Sequence, residues 1–300
     1  MTMDQVRRKT NAAAARLRHI TGKGVTVAFL DTGIGIHPDL QGRLLAFRDF
    51  QMGKKYPYDD SGHGTHVAGI CCGSGLLSKG QYAGMAPGAG IVSAKVLDRN
   101  GNGLREQVLS SVAWILENKK KYSIKILNVS VGAVNSMESR NNILTECMEQ
   151  AWDAGLVVVV AAGNMGPDSG SVTIPGTSKK VITVGAYDSR LNAYADFSGR
   201  GGGNLFYPKP DLVAPGVDIL ASSVGGGYTG VTGTSFATPF VTGAAALMME
   251  WGITRRNDPF LWGEKVKAYL RRGAQPLPGF DRYPNESVGW GRLCIEESIP

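Results

Sequence analysis

Four polar residues stand at glycine-punctuated junctions of this 300-residue chain: Asp31, His63, Asn164 and Ser235. Ser235 lies in Thr232-Gly233-Thr234-Ser235-Phe236-Ala237-Thr238-Pro239, just ahead of a small-residue helical segment from Val241 to Met249. At a helix N-terminus, free N–H groups and the positive end of the helix dipole favour negative charge. A serine hydroxyl there either caps the helix or acts as a nucleophile, and capping is the commoner use of a lone serine. Asp31 closes the apolar, β-rich run Val25 to Leu30 and is followed by Thr32-Gly33, so a buried parallel strand would deliver its carboxylate at the strand's C-terminal edge. A turn or cap role explains Asp31 equally well in isolation. His63 sits in Asp59-Asp60-Ser61-Gly62-His63-Gly64-Thr65-His66-Val67-Ala68-Gly69-Ile70, ahead of a helix and free to point into a cleft. His66 falls one turn into that helix and reads as structural. The pair lacks the spacing and the interposed Glu of a helical zinc site, so no metal is assigned to it.

Together the four residues supply the roles of acyl transfer. Ser235 would attack a carbonyl, His63 would take and return the proton, and Asp31 would fix the imidazole tautomer and stabilise the imidazolium. The Asn164 side-chain amide and the Ser235 backbone N–H would bind the oxyanion.

The elements that must hold them alternate regularly. Strands are expected at Ile91 to Val96, Ile126 to Val131, Leu156 to Ala162 and Val181 to Ala186, with helices at Leu104 to Glu117 and Ile143 to Ala154. This alternation with short connections predicts a doubly wound α/β fold around a largely parallel sheet. Catalytic groups in such sheets gather at the carboxyl ends of the strands. Three expected strand ends carry glycine-containing tails: Leu97 to Gly103, Ser130-Val131-Gly132 and Ala161-Ala162-Gly163-Asn164. Exposed backbone there can pair with an extended peptide, although ordinary βα turn chemistry explains any one tail as well.

Composition bounds the rest. A 43% hydrophobic chain with 41 glycines and 14 prolines is well cored and rich in tight turns, and the absence of a linker favours a single domain. Residues 1–22, with Ala12 to Ala15 among basic residues, read as an N-terminal arm before a domain at 23–300. The net charge of +7 is partly local, with clusters at Arg7, Arg8, Lys9, Arg16 and Arg18 and at Lys119 to Lys121. These runs lack aromatic interleaving or a binding motif, so nucleic acid is not an expected partner. Cys71, Cys72, Cys147 and Cys294 have no metal-ligand spacing and are read as reduced thiols packed as small hydrophobes. No signal peptide and no membrane-length apolar run is evident, which points to the cytoplasm and away from membranes; a mature fragment of a longer precursor would look the same.

The stretches Val25–Gly33, His63–Gly69, Ala161–Asn164 and Gly233–Pro239 resemble, in order, the four signature segments of the subtilisin-like serine proteases, the subtilases of peptidase family S8. The resemblance runs from about Gly24 to Ala274. It looks closest to the intracellular or AprX-like bacterial branch through Ser78 to Gly88 and Ala161 to Ser169. It implies a three-layer αβα sandwich in a single domain, and endopeptidase activity on peptides and proteins with an apolar or aromatic P1 preference. It also implies that Gly101 to Gly103 and Ser130, Val131 and Gly132 flank the substrate backbone while Ala161, Ala162 and Gly163 line the P1 pocket.

Several positions depart from the family pattern. Phe236 stands where many members have Met, which removes an oxidisable sulfur beside the nucleophile. Val131 replaces a common Leu, and Thr173 occupies a pocket position often held by Gly, where it would narrow the P1 site. Gly73 to Gly84 lacks the Asn and Asp oxygens expected of a calcium loop, with Asp49 alone matching a ligand position. No cofactor is required for the chemistry, and only a weak structural calcium site is possible, since the ion takes six to eight oxygens. The chief alternative is a protease-fold protein with a regulatory or binding role. An α/β-hydrolase esterase is excluded, because Ala237 ends the motif where its elbow has Gly and the triad order differs. A His63 base predicts activity that rises through the imidazole range, roughly pH 6 to 7.5, and then plateaus.

Overall fold

Runs of β-branched and small apolar residues form the interior of this chain because strands covered on both faces must be apolar throughout. The structure, a computed structural model, describes residues 1–130, 143–203 and 207–300. Two short helices, α1 (Met3–Lys9) and α2 (Ala13–Leu17), lead into β1 (Thr26–Asp31) and β2 (Leu44–Asp49). Then come α3 (His63–Cys72), β3 (Gly90–Lys95), α4 (Arg105–Asn118), β4 (Ile124–Val129), α5 (Ile143–Asp153), β5 (Val157–Ala161) and β6 (Ile182–Asp188). The C-terminal part adds β7 (Ala193–Tyr194), β8 (Leu212–Pro215), the hairpin of β9 (Ile219–Ser222) and β10 (Tyr228–Val231), and the helices α6 (Thr234–Met249), α7 (Gly263–Gly273) and α8 (Ile295–Ser298).

The main sheet orders its strands β2-β3-β1-β4-β5-β6-β7, with β8 also on β6, and among the described residues only its β6–β7 pair is antiparallel. β1 therefore lies between β3 and β4, where the winding direction reverses. That reversal opens the crevice at the strands' carboxyl ends. β1, β5 and β6 are buried along their whole length, so helices cover both faces. This is a single-domain, three-layer α/β architecture.

The sequence pattern located the central strands to within about two residues, the usual fraying of element boundaries. It missed β2, whose burial is partial and irregular, and the short C-terminal strands and α7. It also started the serine helix late. α6 begins at Thr234, and every one of its residues except Ser235 is buried.

The segment before Lys23 packs on the same apolar cluster as the sheet, through Met3, Val6, Ala12, Ala15 and Ile20. The Glu250 carboxylate fixes its exit, with one oxygen accepting from the backbone N–H of Thr21 (2.7 Å), Gly22 (2.6 Å) and Lys23 (2.9 Å). Arg255 pairs with the other oxygen. Removing a buried acceptor leaves its donors unsatisfied, so Glu250→Ala is expected to cost about 2–4 kcal/mol and lower the melting temperature by several degrees. Glu250→Gln, which keeps one carbonyl acceptor, should cost less in the same thermal scan.

Candidate active site

β1 ends at Asp31, whose side chain is 1% exposed. The first residue of α3 is His63, and its Nδ1 lies 2.6 Å from Asp31 Oδ1. A carboxylate at that distance requires Nδ1 to carry the hydrogen, which leaves Nε2 as the acceptor. Glycine makes the approach possible: a Cβ at Gly64 would meet Gly33 O at 2.1 Å and Asp31 Oδ1 at 3.2 Å. Any side chain there would push the helix away from the strand end.

Asp59 locks this junction. Its carboxylate accepts from Thr32 Oγ1 (2.8 Å), Gly62 N (2.8 Å), and both N and Oγ1 of Thr65 (2.8 and 2.6 Å), joining the residue after Asp31 to both sides of His63. Thr32 Oγ1 also accepts from Gly64 N. These bonds depress the Asp59 pKa against the opposing effect of burial. Sequence reading did not single out Asp59, although an acidic residue just before a glycine turn and a helix N-terminus is a recognisable capping signal. Behind it, buried Lys95 donates to Thr32 O, Leu97 O and Asp60.

Ser235 does not cap α6. The N-cap is Gly233, without a side-chain cap bond, and among the described residues the Ser235 hydroxyl has one contact, Ser130 O at 3.5 Å. Ser235 Oγ is not hydrogen-bonded to His63. The next residue along, Phe236, has its ring centroid 5.0 Å from that of His63 and 6.2 Å from that of His66, so the start of α6 packs beside the His63 helix. Asn164 follows the β5 tail. Its Oδ1 accepts from Thr234 N (2.9 Å) and Thr234 Oγ1 (3.0 Å), and its Nδ2 lies beside Gly233 at the start of α6.

Gly101, Gly103 and Ser130 line a cavity of about 730 Å³ that includes His63. Ala161 and Ala162 are buried, and the Ala162 N–H and C=O are bonded to Val184 and Thr173. Ala162 thus has no surface to offer a pocket, whereas Gly163 is partly exposed. The physical reason is that β5 is covered on both faces and Ala162 continues its pairing, with Val184 on one side and Thr173 on the other. Thr173 presses on Gly163, its Oγ1 2.5 Å from where a Cβ would sit. Val131 and Gly132 lie outside the described residues. Asp49 anchors its own turn, accepting from Gln51 N, Met52 N and Tyr58 OH.

The two histidines diverge electrostatically. Burial pulls His63 down, but the charge and hydrogen bond of Asp31 outweigh it and the net pKa is raised. His66 is lowered by burial, and its Nδ1 donates to Ser222 O at 2.8 Å. Titration by NMR should find His63 above the ordinary imidazole value of about 6.5 and His66 below it. Asp31→Asn should lower the His63 pKa, since burial would then be opposed only by the charge of Asp59.

A parallel sheet with a carboxylate, imidazole and serine hydroxyl gathered at its carboxyl edge defines the class as a hydrolase of subtilisin-like architecture. The sequence matches the Subtilase family (Peptidase_S8) over residues 22–291, and the chain belongs to that family of serine endopeptidases, which act on peptides and proteins. It is 41% identical to the serine protease AprX of Bacillus subtilis over 306 residues, covering 94% of this chain and 67% of that protein. It is 34% identical to Subtilisin Savinase of Lederbergia lenta over 275 residues, covering 92% of each. The fold superposes on the Clostridium perfringens CspB protease with a TM-score of 0.90 at 23% identity, covering 99% of this chain and 97% of that one. It also superposes on a cold adapted subtilisin-like serine proteinase with a TM-score of 0.74 at 29% identity, covering 92% and 90%.

Proposed function

We propose that this serine protease hydrolyses peptide bonds through an acyl-enzyme formed on Ser235, with His63 as base and acid and Asp31 as its orienting partner. The observation that carries the reading is the 2.6 Å contact between Asp31 and His63 Nδ1, which leaves Nε2 free to accept a proton. Ser235 Oγ attacks the carbonyl carbon as Nε2 takes its proton. The imidazolium then protonates the leaving amine as the C–N bond breaks, and water repeats the sequence on the ester. Asn164 Nδ2 and the Ser235 N–H hold the oxyanion. Both belong to segments already fixed, since Asn164 Oδ1 is tied to Thr234. Donors held in place before reaction need no reorganisation as charge develops.

The P1 preference is apolar or aromatic with broad selectivity, bounded by Gly163 and narrowed by Thr173. The flanking role of Val131 and Gly132 rests on family resemblance alone. Nucleic acid and membrane are not proposed as partners; among the described residues no helix is long and apolar enough to cross a membrane. No observation favours a purely regulatory role.

We propose further that the loop from Gly73 to Gly84 takes no calcium. The buried Arg7 guanidinium of α1 donates to Ala83 O, and to Gly80 O at 3.1 Å, so a cation of the chain itself already occupies those carbonyls. Among the described residues no cluster of three or more His, Cys, Asp or Glu side chains could hold a metal ion. Such a loop does not fit an ion that needs six to eight oxygens.

Ser235→Ala should abolish hydrolysis of a chromogenic peptide while circular dichroism stays unchanged. The expected loss is about 10⁶-fold in kcat, the magnitude known for subtilisin when its own nucleophile is removed. Undiminished turnover would reject the nucleophile. In the parent enzyme kcat/KM should rise with pH through a His63 pKa above about 6.5, because only the neutral imidazole accepts the serine proton. Chelation with EDTA should leave the melting temperature unchanged, whereas Arg7→Ala should lower stability by about 1–3 kcal/mol by leaving buried carbonyls unpaired.

A further inference from the structure

The cavity beside His63 carries a charge pattern that peptide-bond hydrolysis does not require. Arg99 and Arg105 both line it, one in the turn after β3 and the other opening α4. Among the described residues no hydrogen bond or salt bridge engages either guanidinium, and both arginines are exposed. Among the described residues lining the cavity there is no Asp or Glu. Two acids adjoin the arginines in sequence: Glu106, in the first turn of α4, makes no ion pair with Arg105, and Asp98 is committed to its own turn, where it accepts from the backbone N–H of Asn100 (2.8 Å) and Asn102 (2.9 Å). Those two bonds depress its pKa and hold the turn that carries Arg99.

Helix stability does not account for Arg105, because a cation in the first turn is opposed by the helix dipole. Packing does not account for Arg99, which is exposed at a turn. Leu97 and Val108, both buried, give the same cavity an apolar floor. A low-dielectric floor weakens screening and strengthens attraction for a carboxylate.

We propose that this protease prefers substrates carrying a Glu or Asp close to the bond that is cut, received by Arg99 and Arg105. The guanidinium fork suits a carboxylate better than it suits a neutral amide or a lysine. The proposal deepens the endopeptidase reading and rests on it, because the cavity becomes a subsite only if the substrate backbone lies along Gly101 and Gly103. It leaves the P1 preference untouched.

The test uses the full chain and fluorogenic peptides that share one apolar P1 residue, with Glu, Gln or Lys placed in turn at each position before and after the scissile bond. At one or more positions kcat/KM for Glu should exceed that for Gln by about fivefold per guanidinium engaged, with Lys slowest. Salt at about 1 M, where screening acts within about 3 Å, should shrink the preference. The Glu/Gln ratio should fall toward unity in the Arg99→Gln/Arg105→Gln double variant, and Arg105→Glu should move the preference toward Lys. Reading a ratio within each variant cancels any loss common to both peptides. Equal rates for Glu and Gln in an enzyme that cleaves both overturn the proposal, as does a preference that survives the double variant. Failure to cleave any peptide, together with no labelling of Ser235 by a fluorophosphonate probe, overturns the endopeptidase reading along with it.

Discussion

The contact between Asp31 and His63 is the constraint around which the rest is arranged. A carboxylate buried at the end of a central strand is costly unless charge and hydrogen bonds compensate it. Asp31 Oδ1 receives the imidazole at 2.6 Å and the Thr32 N–H at 2.7 Å, while Oδ2 is buried without a hydrogen-bond partner among the described residues. That uneven solvation concentrates the compensation on His63. It also explains why an imidazole whose burial favours the neutral form still has a raised pKa.

Keeping that pair together depends on a backbone approach that tolerates no side chain at Gly64, and on Asp59, which binds the strand-end residue Thr32 and the helix-start residues Gly62 and Thr65 with a single carboxylate. The serine is brought up from the other side of the helical layer. α3 and α6 pack against one another, and Phe236, next to Ser235 on α6, sets its ring against those of both histidines. α6 is so thoroughly buried that Ser235 is the point where it meets the cleft. A residue one position away would be lost in the core.

The N-terminal segment belongs to the same mechanical unit. Its apolar residues enter the core, Glu250 gathers three of its N–H groups, and Arg7 reaches the carbonyls of the loop after α3. Internal ion pairing thereby braces the region next to the His63 helix. Elsewhere buried Asp211 is held by Lys209, Lys267 and the partly exposed Arg271, which lower its pKa, burial opposing and the three cations prevailing. The cations of the cleft rim, Arg99 and Arg105, differ from all of these in having no acidic partner among the described residues.

The sequence alone determined the residue types and their order along the chain, and the alternating strand and helix pattern that makes the sheet parallel. Those are local properties: glycine turns, apolar runs and helix starts are written in neighbouring residues, so Asp31, His63, Asn164 and Ser235 were legible before any coordinate. Only the tertiary structure decided whether Ser235 was a cap, because capping depends on the geometry at Gly233 and not on the presence of a hydroxyl. It alone revealed the part played by Asp59, the clash that reserves position 64 for glycine, and the burial that removes Ala162 from the pocket. Each of these depends on which distant segment lies opposite, a matter of packing between β1, α3, β5 and α6 that no local pattern encodes.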